Sequence, residues 1–113
     1  MKPPAGAIVT KEALENVIIL GLPIYMWHVD DGLITEKTPI RLVPSEYGIH
    51  IHFDMGTWYL KDVGIPDNSA TKIRPVWNYK NWMFNTREEA VQAMNENDRA
   101  CEELFIIKEK DRT

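Results

Sequence analysis

The sequence predicts an α+β domain: a small antiparallel, partly barrel-like sheet of about five strands packed against a C-terminal helix, with a short N-terminal helix ahead of it. Three features point there. Short apolar runs in the first two thirds of the chain alternate with period two and are separated by turn residues. The stretch Trp82-Met83-Phe84-Asn85-Thr86-Arg87-Glu88-Glu89-Ala90 then runs an aromatic strand end into a helix start. Beyond it Ala90, Met94, Cys101 and Leu104 share one helical face, which needs an apolar cover. At 113 residues the chain is long enough for one core, so residues 1–113 are read as a single domain.

Residues 1–9 contain Pro3, Pro4 and Gly6 without any period, and read as a loose lead-in. From Thr10, a helix cap, Ala13, Leu14, Val17 and Ile18 fall on a helical face that Gly21 ends and Pro23 cannot continue. The β-branched run 17–20 supports a strand as the competing assignment. Residues 24–29 and 33–36 form a hairpin around a two-residue Asp31-Gly32 turn, with Tyr25, Trp27 and Val29 on one face and Met26 and His28 on the other. A strand over 38–43 points Ile40 and Leu42 inward and Arg41 outward. Pro39 places its start at an edge or bulge, and Pro44-Ser45-Glu46 is a turn. The clearest alternation is 47–53, with Tyr47, Ile49, Ile51 and Phe53 toward the core and His50 and His52 opposite. Asp54-Met55-Gly56 connects it to a strand at 57–60.

Residues 62–74 are the long loop, of a length that is usually functional or mobile. In the strand region 75–84, Trp77 and Tyr79 share one parity and Trp82 and Phe84 the other, so either a bulge near Asn81 resets the register or both faces are covered. Thr86 and Glu89 have the spacing of a capping box, with the hydroxyl on the Glu89 amide and the carboxylate reaching back to the Thr86 amide. After Leu104, Phe105-Ile106-Ile107 can dock or add an edge strand, and 108–113 is a charged, frayed tail.

Pro23-Ile24-Tyr25-Met26-Trp27, the step to Gly32-Leu33-Ile34-Thr35-Glu36, and Phe84-Asn85-Thr86-Arg87-Glu88-Glu89-Ala90 entering the closing helix resemble a loose class of small uncharacterised proteins encoded by phages, prophages and mobile elements of bacteria. The resemblance spans residues 21–94, and the 62–74 loop departs from the shortest versions. It implies a small barrel-like sheet plus helix and a phage or mobile-element setting. No catalytic residues come with it.

The formal charge of −4 is unevenly placed. Glu88, Glu89, Glu96, Asp98, Glu102 and Glu103 face only Arg87 and Arg99 within the helix, whereas outside it acids and bases cancel. A solvated helix face is the plain reading and a surface for a basic partner the functional one. The overall sign disfavours non-specific nucleic-acid binding. Cys101 is the only cysteine, so no intrachain disulfide forms, and a cytoplasmic setting is expected, that of the host cell if the protein is phage-encoded. On the apolar stripe it reads as a buried, inert thiol. The longest apolar stretch is broken by Gly21 and Pro23, so no membrane span is expected.

His50 and His52 lie two apart on one strand, and His28 with Asp54 or Asp30 could complete a divalent-ion site. No Cys pair or His-x-x-x-His helix accompanies them. Exposed histidines need no such role, so neither metal nor cofactor is expected, although the pair could form a pH-sensitive surface. Cys101 lies far along the chain from any histidine and the glycines stand singly, so no enzyme is expected. The aromatic surplus is more informative. Trp27, Trp58 and either Trp82 or Phe84 are assigned to the core. Trp77 and Tyr79, near Lys72, Arg74 and Lys80, form either a partner-anchoring patch or a second covered face beneath the N-terminal helix. Asn97 interrupts the apolar stripe, as a bonded core position or a partly covered helix end.

The expected function is therefore non-catalytic binding of a macromolecule, a protein with a basic groove, through Trp77, Tyr79, Glu88, Glu96, Asp98, Glu102 and Glu103. One concrete form is an inhibitor of a host defence or nucleic-acid-binding protein. The alternatives are a single-stranded nucleic-acid-binding barrel and a structural homodimer formed through an edge strand.

Overall fold

Thr10 opens the first helix, α1 (Lys11–Leu20), by accepting the Ala13 amide on its hydroxyl at 3.2 Å. Gly21 closes it in the left-handed region at φ 65°, with the Gly21 and Leu22 amides returning to the Ile18 and Val17 carbonyls. The strand alternative for 17–20 is thereby excluded. A computed structural model describes residues 2–73 and 80–111, with side chains through 103. Trp77, Tyr79 and Arg74 lie outside the described residues, as does the end of the tail at 112–113.

Two three-stranded antiparallel sheets follow. β1 (Ile24–His28) is the centre of the first, between β2 (Leu33–Lys37) and β6 (Asn81–Phe84). β3 (Pro39–Ser45), β4 (Gly48–Phe53) and β5 (Thr57–Tyr59) form the second in sequence order. The expected single, partly barrel-like sheet is not formed. Thr38 alone separates β2 from β3, too little chain for a hairpin, so the chain turns a corner there into a second sheet. That corner is pinned by Asp54, whose carboxylate accepts the Thr38 amide and whose own amide bonds the Thr38 carbonyl, both at 2.9 Å.

The first sheet is a middle layer. Ile24, Met26 and Met83 face α1 (Leu14, Val17) and the second sheet (Ile51, Phe53), with Leu60, Val63 and Ile65 completing that core. Trp27, Trp82 and Phe84 face α2 (Arg87–Asp111) through Ala90 and Ala93, joined by the half-buried Tyr25, Val29 and Ile34. Met26 is thus not on an outer face but is fully buried. All of β6 is buried, and its register with β1 runs without a break from Tyr25↔Phe84 to His28↔Asn81. Within β6 both faces are covered, Met83 on the side of α1 and Trp82 and Phe84 on the side of α2. The other-parity aromatics Trp77 and Tyr79, on which the choice between a bulge and a second covered face depends, lie outside the described residues.

Several local expectations are corrected. The β1–β2 connection is the four-residue stretch 29–32, in which the Gly32 amide bonds the His28 carbonyl, rather than a two-residue turn. The register does shift between Pro39 and Arg41, and the bulge turns Ile40 outward to 49 % exposure. Pro44 and Ser45 belong to β3; the turn is Glu46-Tyr47, which leaves Tyr47 at the surface. The lead-in is not loose: the Ile8 amide bonds the Met83 carbonyl at 2.7 Å and Ala7 bridges Phe84, so it covers the open edge of β6 and buries Ile8. The long loop opens with a 3-10 turn, Leu60–Val63, stopped by Gly64, and then buries Ile65 and Asp67.

α2 starts as expected, but its cap differs in one bond. Thr86 Oγ1 accepts the Glu89 amide at 3.2 Å and its hydroxyl donates to Glu89 Oε1 at 2.9 Å, side chain to side chain. Ala90 and Ala93 are buried, Met94 and Asn97 half-buried, and every residue of 98–103 is exposed. Cys101 is therefore exposed rather than buried. The reason is length. Three strands span roughly 15 Å, whereas 25 residues of helix extend about 37 Å, so the helix must overrun its sheet. Residues 105–107 continue that helix instead of forming an edge strand, and its backbone is helical to Asp111 rather than frayed from 108.

Candidate partner-binding surface on the C-terminal helix

The acids singled out in the sequence lie on the side of α2 turned away from the sheet. With Ala90, Ala93, Met94 and Asn97 inward, the 3.6-residue repeat carries Glu88, Gln92, Glu96, Arg99 and Glu103 outward in one stripe, and Asp98 and Glu102 beside it. Glu88, Glu96, Asp98, Glu102 and Glu103 are all exposed. Arg87, Glu88, Val91, Gln92, Asn95, Glu96 and Arg99 line a surface groove of about 600 Å³. Within it Gln92 Nε2 donates to Glu96 Oε1 at 3.3 Å, which leaves the carboxylate otherwise open to solvent. Glu89 is set apart, half-buried and engaged with Thr86, with its carboxylate against Gly6. Over residues 87–103 the five acids are diluted only by Arg87 and Arg99, and they produce a negative potential that a basic surface can read.

The histidines do not assemble as a metal site. His50↔Tyr59 and His52↔Thr57 share the outer face of the second sheet, while Ile51↔Trp58 face the core. His28 lies against Trp58, ring centroids 5.7 Å apart, and so is on the other side of that sheet from His50 and His52. Asp54 is occupied by the Thr38 and Met55 amides. Among the described residues no group of three or more His, Cys, Asp or Glu side chains could hold a metal ion. His50 and His52 pack edge to face at 5.0 Å, with Tyr59 5.5 Å from His50. His50 Nε2 is buried and has no hydrogen-bond partner among the described residues. Burial, and then the neighbouring His52, lower its pKa.

Two features escaped the sequence reading. His28 bonds Asn81 Oδ1 through Nδ1 at 3.0 Å and Thr35 Oγ1 through Nε2 at 2.9 Å, a partnership no local pattern announces. Asp67 accepts the Ile49 amide at 2.7 Å and the Ser69 amide at 2.9 Å together with the Ser69 hydroxyl, fastening the loop to β4. Burial pushes its carboxyl up, but these bonds and nearby Lys61 outweigh it and hold the pKa below the usual value. Asp67-Asn68-Ser69 carries the composition of an Asx turn, the one signal that could have found it.

A second exposed surface is apolar. Ile19 (79 % exposed) at the end of α1 and Ile40 of β3 line a groove of about 320 Å³ with Ile18, Leu42, Glu15 and Arg41, and Leu20 and Leu22 are exposed nearby in the chain. Among the described residues no helix is long and apolar enough to cross a membrane. The chain matches no protein-family model, no curated protein and no solved structure.

Proposed function

We propose that this chain is a non-catalytic binding protein, of the kind phages and mobile elements encode, whose acidic α2 face docks into a basic groove of a protein partner. In its concrete form it inhibits a host defence or nucleic-acid-binding protein by occupying the groove meant for phosphates. The observation that carries the reading is the overrun of α2: residues 98–103 leave the sheet wholly exposed and bring Asp98, Glu102 and Glu103 with them. A helix needed only to cover the sheet could stop near Asn97.

Capture of partners from a bacterial lysate on the immobilised protein tests this, with salt raised from about 0.05 to 0.5 M. Capture is expected to fall steeply with salt, to be displaced by nucleic acid, and to drop at least about tenfold when Glu96, Glu102 and Glu103 are all replaced by lysine. Capture insensitive to both salt and the lysine variant counts against the reading. A second reading, self-association, is favoured by the exposed Ile19 and Ile40 beside one apolar groove. Sedimentation of the wild type beside Ile19→Asp separates the two, because only self-association predicts a dimer that this variant dissociates.

A further inference from the structure

We propose that His28 is a proton-operated latch between the two sheets: neutral, it ties β1, β2 and β6 together and seats Trp58 of β5 against them, and when protonated it releases the Trp58 seam. The hydrogen bonds define the neutral state. Asn81 Nδ2 donates to the Asp62 carbonyl at 3.2 Å, which turns Asn81 Oδ1 toward His28 and makes Nδ1 the protonated nitrogen. His28 Nε2 then accepts from the Thr35 hydroxyl at 2.9 Å, so one ring proton satisfies both contacts. A second proton turns Nε2 into a donor, forces the Thr35 hydroxyl to reverse, and places a charge on a half-buried ring.

The surroundings oppose that charge on balance. Burial is the largest effect and lowers the pKa of His28; the Asn81 bond raises it, Lys37 on β2 lowers it, and Asp31 in the β1–β2 connection raises it. From β6 the facing group is uncharged Asn81, and from the 3-10 turn the Asp62 backbone carbonyl reaches Asn81. From β5 the facing group is the Trp58 indole, while His50 and His52 of β4 lie on the far side of that sheet. An imidazolium is attracted to an indole face, which resists release. Hydration of the new charge favours it, and the ring that stands against His28 is Trp58. Because His28 and Trp58 belong to different sheets, moving one ring loosens the seam between them.

The test follows the His28 ring and the Trp58 indole N–H of the full chain by NMR between about pH 7.5 and 5. Both are expected to change with one common midpoint below the ordinary imidazole value of 6.5, with faster solvent exchange of the Trp58 N–H on the acid side. His28→Gln should abolish the Trp58 response and His50→Gln should leave it. A Trp58 response that survives His28→Gln overturns the latch, as does a His28 titration to which Trp58 is silent. Should His28→Gln fail to fold, coincidence or separation of the two wild-type midpoints decides the matter.

Discussion

Gly64 is the residue on which the packing of Trp82 turns. Its φ is +83°, and a Cβ placed there would stand 2.3 Å from Trp82 Cζ3. Gly64→Ala combines left-handed strain with overpacking against an aromatic ring, and is expected to cost about 2–4 kcal/mol in urea unfolding. A loss below about 0.5 kcal/mol would show the ring free to yield. In the sequence Gly64 was one more loop glycine, since nothing local indicates that an indole eighteen residues on will lie across it. Asp67 makes the complementary point. Its folded pKa is depressed, so its contribution is fully present above the unfolded value of about 3.9 and is lost as pH falls through the lower folded value. Asp67→Ala leaves the Ile49 amide without its partner and is expected to cost about 1–3 kcal/mol at pH 7. The gap from wild type should narrow toward pH 3, which urea titrations at a series of pH values measure.

At the scale of elements, the helix ends were legible and the burial of the strands was only half so. Thr10, Gly21 and Thr86 act within a turn of their own position, so their roles follow from neighbours in the chain. Thr86→Ala should cost about 1 kcal/mol and speed hydrogen exchange of the first-turn amides of α2 before any others. The alternation of Tyr25, Trp27 and Val29 implies one core face and one outer face for β1. Both faces are buried because a helix covers one and a second sheet the other, and no strand records how many layers will be stacked on it. The apolar stripe of α2 misled for a related reason. Cys101 keeps the helical phase of Ala90 and Met94 but lies past the last sheet residue beneath them. Its thiol should therefore react with a disulfide reagent in the native protein within roughly a few-fold of its rate in denaturant. Strong protection would mean that the overrunning segment is covered.

For the whole molecule, shape and acid response follow from the same layering. The principal extents are 54 × 32 × 21 Å and the radius of gyration is 15.9 Å, against about 13 Å for a compact domain of this length. The excess agrees with a rod that outruns its sheet. His28 and His50 both have depressed pKa values, chiefly through burial. Between their folded values and the unfolded 6.5 the unfolded chain binds more protons, so their contribution is complete above 6.5 and declines as pH falls below it. Asp67 adds a separate loss in the carboxylate range. Stability measured from pH 8 to 3 is thus expected to fall in two stages, with His28→Gln flattening the upper one. A profile level between pH 7 and 5 would contradict the burial of these rings.

What the sequence determined by itself was local: an α+β composition, a capped helix at each end of the sheet region, period-two strands, and acids gathered on the last helix. These depend on dihedral preferences and contacts within a few residues, which the order of amino acids states directly. Tertiary structure alone decided that the strands divide into two sheets at Thr38, that β1 and β6 are buried on both faces, that His28 meets Asn81 and Trp58, and that α2 runs beyond its support. Each of those joins residues far apart in the chain, where burial of apolar surface and satisfaction of polar groups are settled by the assembled layers rather than by any segment.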